Sequence, residues 1–133
     1  MKISFLLFLF LYFTLASNSL AQDAHLGATL IWERNAHDFG DIFQGDKVEH
    51  TFKFTNTGSE PLIITNVQVT CGCTTPKGWP RDPVNGGGKG EIIVQFDSTN
   101  KIGRQNKVVT VVSNAAGANS QVTFSANVLE KRK

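Results

Sequence analysis

The sequence predicts an all-β protein, and three observations support this prediction. Apolar and polar residues alternate with a period of two in several short segments, which is typical of strands with one buried face. Clusters of Gly, Pro, Asn and Asp separate these segments, and such residues favour turns. After residue 28, no stretch has the apolar spacing of a helix long enough to connect two parallel strands.

Seven segments fit strands, and their parity predicts which side chains face the core. In chain order the segments comprise residues 29–33, 39–43, 48–55, 62–70, 91–96, 107–112 and 122–128. Because alternate residues of a strand share a face, six apolar residues from four of these segments are expected to meet in one core. They are Phe52, Phe54, Val94, Phe96, Val111 and Phe124. Residues 107–112 show little alternation, which predicts burial on both faces.

The number and spacing of these segments predict how the sheets are arranged. About seven short strands in one domain, joined by turns, favour an immunoglobulin-like antiparallel β-sandwich. A closed barrel is the alternative. Residues 74–90 are rich in Gly and Pro and form the one long segment without a strand pattern. A loop of this length is usually functional or a crossover between sheets.

Residues 1–21 predict a secretory signal peptide rather than part of the fold. Lys2 supplies a positive charge, residues 3–16 are almost entirely apolar, and small residues at Ser19 and Ala21 form a cleavage site. The apolar run is shorter than the about 20 residues that cross a bilayer, so we expect cleavage rather than a membrane anchor. Because no Cys lies near the cleavage site, no lipid anchor is expected. The mature protein is therefore predicted to be periplasmic or secreted and not membrane-embedded.

The chain after the signal peptide is predicted to contain one domain. Residues 22–28 are expected to be a flexible N-terminal stretch, residues 29–129 the sandwich domain, and residues 130–133 a basic C-terminal tail. After residue 21, twelve Lys and Arg oppose eleven Asp and Glu, which leaves a net charge of +1. This balance disfavours nucleic-acid binding through a basic face, and it also disfavours a disordered polyelectrolyte.

Cys71-Gly72-Cys73 is the one motif with reactive side chains, and three interpretations compete for it. In a straight strand the two Cα atoms would lie about 6.6 Å apart, too far for an easy disulfide. A turn with positive φ at Gly72 would bring them closer, so we expect a disulfide in a turn that ends the strand of residues 62–70. A redox-active pair is the second interpretation. A Zn or Cu(I) site completed by His50 and His37 is the third.

The sequence contains no constellation that indicates an enzyme. It lacks a Gly-x-Ser-x-Gly nucleophile elbow, and the glycines of residues 86–90 are not a phosphate-binding loop because Gly90, not Ser or Thr, follows Lys89. No strand–glycine–helix unit is predicted that could bind a nucleotide. We therefore expect a protein that is not an enzyme and needs no cofactor.

Several motifs in one order resemble a bacterial family. They are the segments of residues 38–40, 50–58, 61–67, 71–74, 79–80 and 96–99. Together they are similar to the Ig-like domain-of-unknown-function family 1573 of secreted Bacteroidetes proteins, and more distantly to Hydin-like and major-sperm-protein-like Ig domains. The resemblance implies an Ig-like fold and export, and no established activity. Residues 86–90 depart from the family, which usually turns with Pro-Gly at this place.

Trp79 and Ser98 are two further candidate site residues. Trp79 lies in the segment of residues 74–90 and is either an exposed contact for a partner or an indole that folds back onto the sandwich. Asp97-Ser98-Thr99 is similar to a periplasmic O-glycosylation signal of the same bacteria, which would place a glycan on Ser98. A turn after the preceding strand explains these three residues equally well.

The sequence as a whole favours an exported Ig-like module without enzymatic activity. Such a module would bind or scaffold other components of the cell envelope or the extracellular space, with an unidentified protein or glycan as partner. The alternative function is a small thiol-redox or metal-handling protein that uses Cys71 and Cys73. The sequence predicts neither a specific partner nor an oligomeric state.

Overall fold

The structure is a computed structural model that describes residues 27–117 and 119–131. This part of the chain forms eight strands: β1 (Leu30–Trp32), β2 (Ala36–Phe43), β3 (Lys47–Asn56), β4 (Ile64–Val69), β5 (Thr74–Gly78), β6 (Lys89–Asp97), β7 (Gly103–Ser113) and β8 (Asn119–Leu129). The all-β prediction is confirmed. No helix of the described residues is long and apolar enough to cross a membrane. The predicted signal peptide and most of the predicted N-terminal stretch lie outside these residues.

The strands form an open sandwich of two four-stranded sheets. The first sheet has the order β1-β3-β6-β5 and the second sheet the order β2-β8-β7-β4. Neighbouring strands are antiparallel with one exception, because β2 runs parallel to β8. The chain changes sheets between β1 and β2, so its first part pairs with β3 and the next part with β8. The predicted sandwich is confirmed, with eight strands rather than about seven and with one parallel pair.

The core lies between the sheets and is formed by the side chains that parity predicts. Each of the six predicted core residues is at most 3% exposed, and all of them belong to one apolar cluster. The rings of Phe96 in the first sheet and Phe124 in the second lie 5.5 Å apart between centroids. Because large side chains from both sheets meet there, the predicted common core is confirmed.

Asn56 closes one end of the sandwich although it is polar and fully buried. Its Oδ1 accepts hydrogen bonds from the backbone N–H groups of Thr29 and Gly58, each at 3.0 Å. Its Nδ2 donates to the carbonyl oxygens of Glu60 and Val84 at 2.8 and 2.9 Å. One amide thus satisfies backbone groups of separate turns, which explains how a polar residue is accommodated in the core.

Two sequence expectations about the strands are wrong. The segment of residues 74–90, expected to lack a strand, begins with β5, which pairs with β6 through a register that shifts between Pro76 and Gly78. The strand of residues 107–112, expected to be buried on both faces, alternates normally, and Val108 is 37% exposed. No layer of the described residues covers the outer face of the second sheet, so β-branched composition did not indicate burial here.

Candidate functional site

The Cys71–Cys73 pair lies in the turn by which the chain crosses from β4 in the second sheet to β5 in the first. The two Sγ atoms are bonded, and the Cα atoms are 5.1 Å apart. The backbone N–H of Thr74 donates to the carbonyl oxygen of Cys71 at 3.1 Å, which closes the turn. The structure therefore shows the predicted disulfide, and in the predicted position after the fourth strand.

Gly72 does not have the conformation that the sequence suggested. Gly72 does not have a positive φ, unlike several other described glycines, so the bridge closes without a left-handed residue. A Cβ added to Gly72 would meet no atom within 4 Å other than those of its two chain neighbours. The expectation that Gly72 is required for its backbone angle is wrong, because a turn of ordinary φ angles already shortens the Cα–Cα distance enough.

The two sulfur atoms have different surroundings. The backbone N–H of Cys73 donates to Sγ of Cys71 at 3.1 Å. Sγ of Cys73 lies 3.8 Å from Oγ1 of Thr74, and the Cys73 side chain packs against the apolar core. Both cysteines are half-buried and Gly72 is exposed, so solvent reaches the bridge.

The two candidate histidines lie together, but not with the cysteines. The imidazoles of His37 in β2 and His50 in β3 stack with their centroids 3.6 Å apart and their planes 10° apart. Burial, and then the charge of His37, lower the pKa of His50 below 6.5. Among the described residues no group of three or more His, Cys, Asp or Glu could hold a metal ion. The metal site proposed for Cys71, Cys73, His50 and His37 together is therefore not formed.

Trp79 folds back onto the sandwich. Its side chain is half-buried and packs against the core. The guanidinium carbon of Arg81 lies 3.7 Å from the centroid of the indole, a cation–π contact that covers the ring from outside. The structure thus favours the folded-back interpretation of Trp79 over that of an exposed partner contact.

Ser98 is fully buried, and this contradicts its role as a glycosylation site in the folded protein. Its Oγ lies 3.0 Å from the carbonyl oxygen of Phe43 and 2.8 Å from that of Asp46. Its backbone N–H also donates to the Asp46 carbonyl at 2.9 Å. The hydroxyl therefore fastens the β2–β3 turn to the end of β6, and no space remains for a glycan on Oγ.

A patch of exposed apolar side chains, which the sequence analysis did not identify, lies at one end of the second sheet. Phe43 and Leu129 are paired in the β2–β8 register and are 51% and 36% exposed. Ile102 is 55% exposed and precedes Gly103, which pairs with Val128 at the same end. We call these three residues the apolar end patch. Phe43 and Leu129 border a cleft of about 740 Å³ that is also lined by Asp46, Glu130 and Lys131.

The alternation of inward and outward residues in β2 and β8 predicts two of the exposed side chains of this patch. Ile42 and Val128 face the core, so Phe43 and Leu129 must point outward. The sequence does not show that two outward positions from distant segments meet, because that depends on the parallel pairing of β2 with β8.

Away from this patch, the outer face of β2, β7 and β8 carries several polar side chains that pair with one another, and Val108 of β7 as an exposed apolar side chain. A groove of about 480 Å³ lies there, in which Arg104 contacts Asp38 at 3.5 Å and donates to Ser125 at 3.1 Å. Asn127 donates to Asp41 at 2.9 Å in the neighbouring row. The backbone N–H of Gly40 is the main cause that lowers the pKa of Asp38. Because these groups already have partners, the apolar end patch is the stronger candidate for an interaction surface.

Comparisons with known families agree with this fold. The model of a family described as "Protein of unknown function (DUF1573)" matches residues 30–128. A search of curated proteins found no significant match.

Three solved structures illustrate the similarity of the fold. A protein of unknown function from Porphyromonas gingivalis W83 has a TM-score of 0.65 and 15% identity over 83% of this chain and 51% of that one. The chain thus spans about half the length of that protein. The Vibrio cholerae VesB protease has a TM-score of 0.60 and 15% identity over 75% and 31% of the two chains. PapD-like domain 7 of human CEP192 has a TM-score of 0.60 and 11% identity over 80% and 89%. At these identities the similarity concerns the fold alone.

Proposed function

The chain belongs to the DUF1573 family of proteins of unknown function, and we propose that it is an exported, non-enzymatic Ig-like module that binds a protein of the cell envelope or the extracellular space. The apolar end patch is the observation on which this proposal rests. Its three side chains are each more than a third exposed, although Ile42 and Val128, next to Phe43 and Leu129 in β2 and β8, are buried. Apolar groups clustered in this way are typical of surfaces that are covered by a partner.

The surroundings of the patch favour a protein as the partner. Asp46, Glu130 and Lys131 line the cleft beside Phe43 and Leu129, so charged groups of both signs border an apolar centre. Protein interfaces have this composition, with an apolar core and a polar rim. Of the three patch residues only Phe43 is aromatic, and aliphatic side chains offer little to the polar surface of a glycan. We therefore choose a protein rather than a glycan partner.

Three further observations support the remaining parts of the proposal. The signal-peptide pattern of residues 1–21 supports export. The absence of a nucleophile or phosphate-binding motif from the sequence supports a non-enzymatic role, as does the mutual pairing of the polar side chains on the outer face. Ig-like sandwiches host many binding functions, so the function must come from the surface and not from the fold itself.

An affinity-capture experiment with matched variants tests the binding function. The mature protein, immobilised by a tag, is incubated with solubilised envelope proteins of the producing cell after mild cross-linking. The test variant is Phe43→Ser combined with Ile102→Ser, which removes the two most exposed side chains of the patch. The control is Ile31→Ser, because Ile31 is 51% exposed but lies on β1 of the first sheet.

The proposal predicts that the wild type and Ile31→Ser enrich the same protein, and that the double variant enriches it about tenfold less, as expected when central interface residues are lost. Circular dichroism establishes that both variants are folded. An unchanged yield with the double variant would contradict the proposal. So would a wild-type protein that enriches nothing beyond the untagged control resin.

A further inference from the structure

The Cys71–Cys73 bridge lies outside the strands that form the two sheets. It lies in a turn between the sheets, with both cysteines half-buried and Gly72 exposed. Apart from Cys71 and Cys73, no residue has an atom within 4 Å of the place that a Cβ of Gly72 would occupy, so another molecule can approach the outside of the turn. The apolar core is built from strands of both sheets, and Cys73 is the bridge residue whose side chain packs against its edge.

The spacing of the cysteines gives the bridge little structural value. Only Gly72 lies between the two cysteines, so the bridge closes almost the smallest possible loop. A disulfide stabilises mainly by restricting the unfolded chain, and this effect falls as the closed loop becomes shorter. The fold can therefore tolerate the opening of the bridge.

The hydrogen bonds around the bridge distinguish its two sulfur atoms. Sγ of Cys71 accepts the backbone N–H of Cys73 at 3.1 Å, and this donor would stabilise negative charge on a Cys71 thiolate. Sγ of Cys73 instead belongs to a side chain that packs against apolar residues, with the hydroxyl of Thr74 at 3.8 Å. Because Cys73 packs against the core, Cys71 is the sulfur that an incoming thiolate reaches. It is also the better thiolate to leave from a mixed disulfide and to attack a disulfide.

We propose that Cys71-Gly72-Cys73 is a thiol–disulfide exchange site that oxidises a dithiol of a peptide or a small molecule, with Cys71 as the sulfur that forms the mixed disulfide. The exchange is stoichiometric, with one bridge consumed for each substrate dithiol, so it is separate from, and compatible with, the non-enzymatic binding role of the apolar end patch.

The reaction balances with the disulfide that the structure holds. A substrate thiolate attacks Sγ of Cys71, the bond between the two cysteine sulfurs breaks, and Cys73 leaves as a thiolate and takes up a proton. The second substrate thiolate then attacks the substrate sulfur of the mixed disulfide, and Cys71 leaves as a thiolate held by the N–H of Cys73 and is protonated. Two electrons and two protons pass from the substrate dithiol to the cysteine pair, so that the substrate becomes a disulfide and the protein a dithiol.

Single-cysteine variants of the mature protein test the assignment of the sulfurs. Cys73→Ser keeps Cys71 and its N–H donor, whereas Cys71→Ser keeps Cys73. Each variant is mixed with glutathione disulfide at neutral pH, and the mixed disulfide is followed by intact mass. The proposal predicts that Cys73→Ser reacts about tenfold faster than Cys71→Ser, because the rate follows the thiolate fraction and the access of the thiol. Equal rates, or a faster Cys71→Ser, would overturn it.

A second measurement uses the unaltered protein, so that the test does not depend on the folding of a variant. The oxidised protein is incubated with an equimolar amount of a reduced two-cysteine peptide or of dithiothreitol. The reaction is quenched by alkylation, and the mass of the protein is measured by mass spectrometry. The proposal predicts that the protein gains two alkylated thiols as the dithiol is oxidised, while its melting temperature stays nearly unchanged. Transfer from dithiothreitol but not from the peptide would restrict the substrate to small molecules. A bridge that exchanges with neither dithiol while the protein is folded would overturn the proposal.

Discussion

At the scale of single residues, the stacked imidazoles of His37 and His50 connect the two sheets. His37 belongs to β2 of the second sheet and His50 to β3 of the first, and their ring centroids lie 3.6 Å apart. The ring of Phe52 lies 4.7 Å from that of His50 in an edge-to-face arrangement. The stack thus continues the aromatic core to the side of the sandwich, where it places a titratable group beside apolar rings.

This arrangement makes stability depend on pH. Burial, and then the charge of His37, lower the pKa of His50 below 6.5 in the folded protein. As the pH falls through 6.5 the unfolded chain binds a proton that folded His50 does not yet bind, so unfolding becomes more favourable. We expect the free energy of unfolding to decrease between about pH 7.5 and 5.5, as measured by urea melts.

The matched variant for this measurement is His50→Gln, which removes the titrating ring and keeps a polar side chain. It is expected to lose most of the dependence on pH over the same range. An equally steep dependence in His50→Gln, or a wild-type stability that does not change, would show that His50 is not the group responsible.

Two neighbouring positions of β3 test the register of the core. Phe52 is 1% exposed and faces the core, whereas the next residue, Lys53, is exposed. Phe52→Ala is expected to destabilise the protein by about 3–5 kcal/mol, since it removes a large buried side chain. Lys53→Ala is expected to change stability by less than about 0.5 kcal/mol. Denaturant melts that gave the larger loss for Lys53→Ala would contradict the register.

The residues show which facts the sequence contains and which it does not. The burial of Phe52 follows from parity, because alternation along one strand is a local property. The stack of His37 on His50 joins strands of different sheets, and no local pattern reports which inward residues face each other across a sandwich. The conformation of Gly72 was mispredicted for a related reason, since glycine permits a positive φ without requiring it.

At the scale of strands, Phe54 of β3 is paired with Gly90 of β6. A Cβ at Gly90 would overlap the ring of Phe54. Gly90→Ala is therefore expected to destabilise the protein by about 1–3 kcal/mol, as overpacking of a core does. Gly72→Ala is the control, because its Cβ meets open space, and it is expected to stay within about 0.5 kcal/mol. Thermal melts that ranked the two variants in the opposite order would contradict this packing.

The strands that the sequence predicted correctly contain alternating apolar residues or, in β7, a β-branched run, whereas β5 contains no Val, Ile, Leu or Phe. It contains Pro76, which cannot donate a ladder hydrogen bond, and its pairing with β6 shifts in register before Gly78. An edge strand of this kind resembles a loop in composition. The four hydrogen bonds of Asn56 were also not predicted, because Asn56 at the end of β3 and the Gly- and Pro-containing residues after it indicate only a change of chain direction.

At the scale of the whole molecule, the first described part of the chain contributes one strand to each sheet. It pairs with β3 through β1 and then with β8 through β2, and this change of sheet brings Phe43 beside Leu129. The apolar end patch is thus a product of topology, in which the ends of β2 and β8 and the start of β7 meet. The sandwich could be predicted from the sequence, whereas the surface proposed to bind a partner could not.

Export of the protein is tested by the mass of the mature chain. The sequence predicts that exported material begins near Gln22, because the cleavage pattern ends at Ala21. Intact-mass spectrometry of protein from the periplasmic and culture fractions measures this directly. A mass that still includes residues 1–21 would contradict the prediction of a cleaved signal peptide.

The most direct test of the proposed binding function is site-specific photo-cross-linking in the producing cell. A photoreactive phenylalanine analogue replaces Phe43 in the apolar end patch, or Ile31 on β1 as the control, since both positions are 51% exposed. Binding through the patch predicts that irradiation links position 43, but not position 31, to one discrete protein of the envelope or the medium. The same adducts from both positions, or no adduct from position 43, would contradict it.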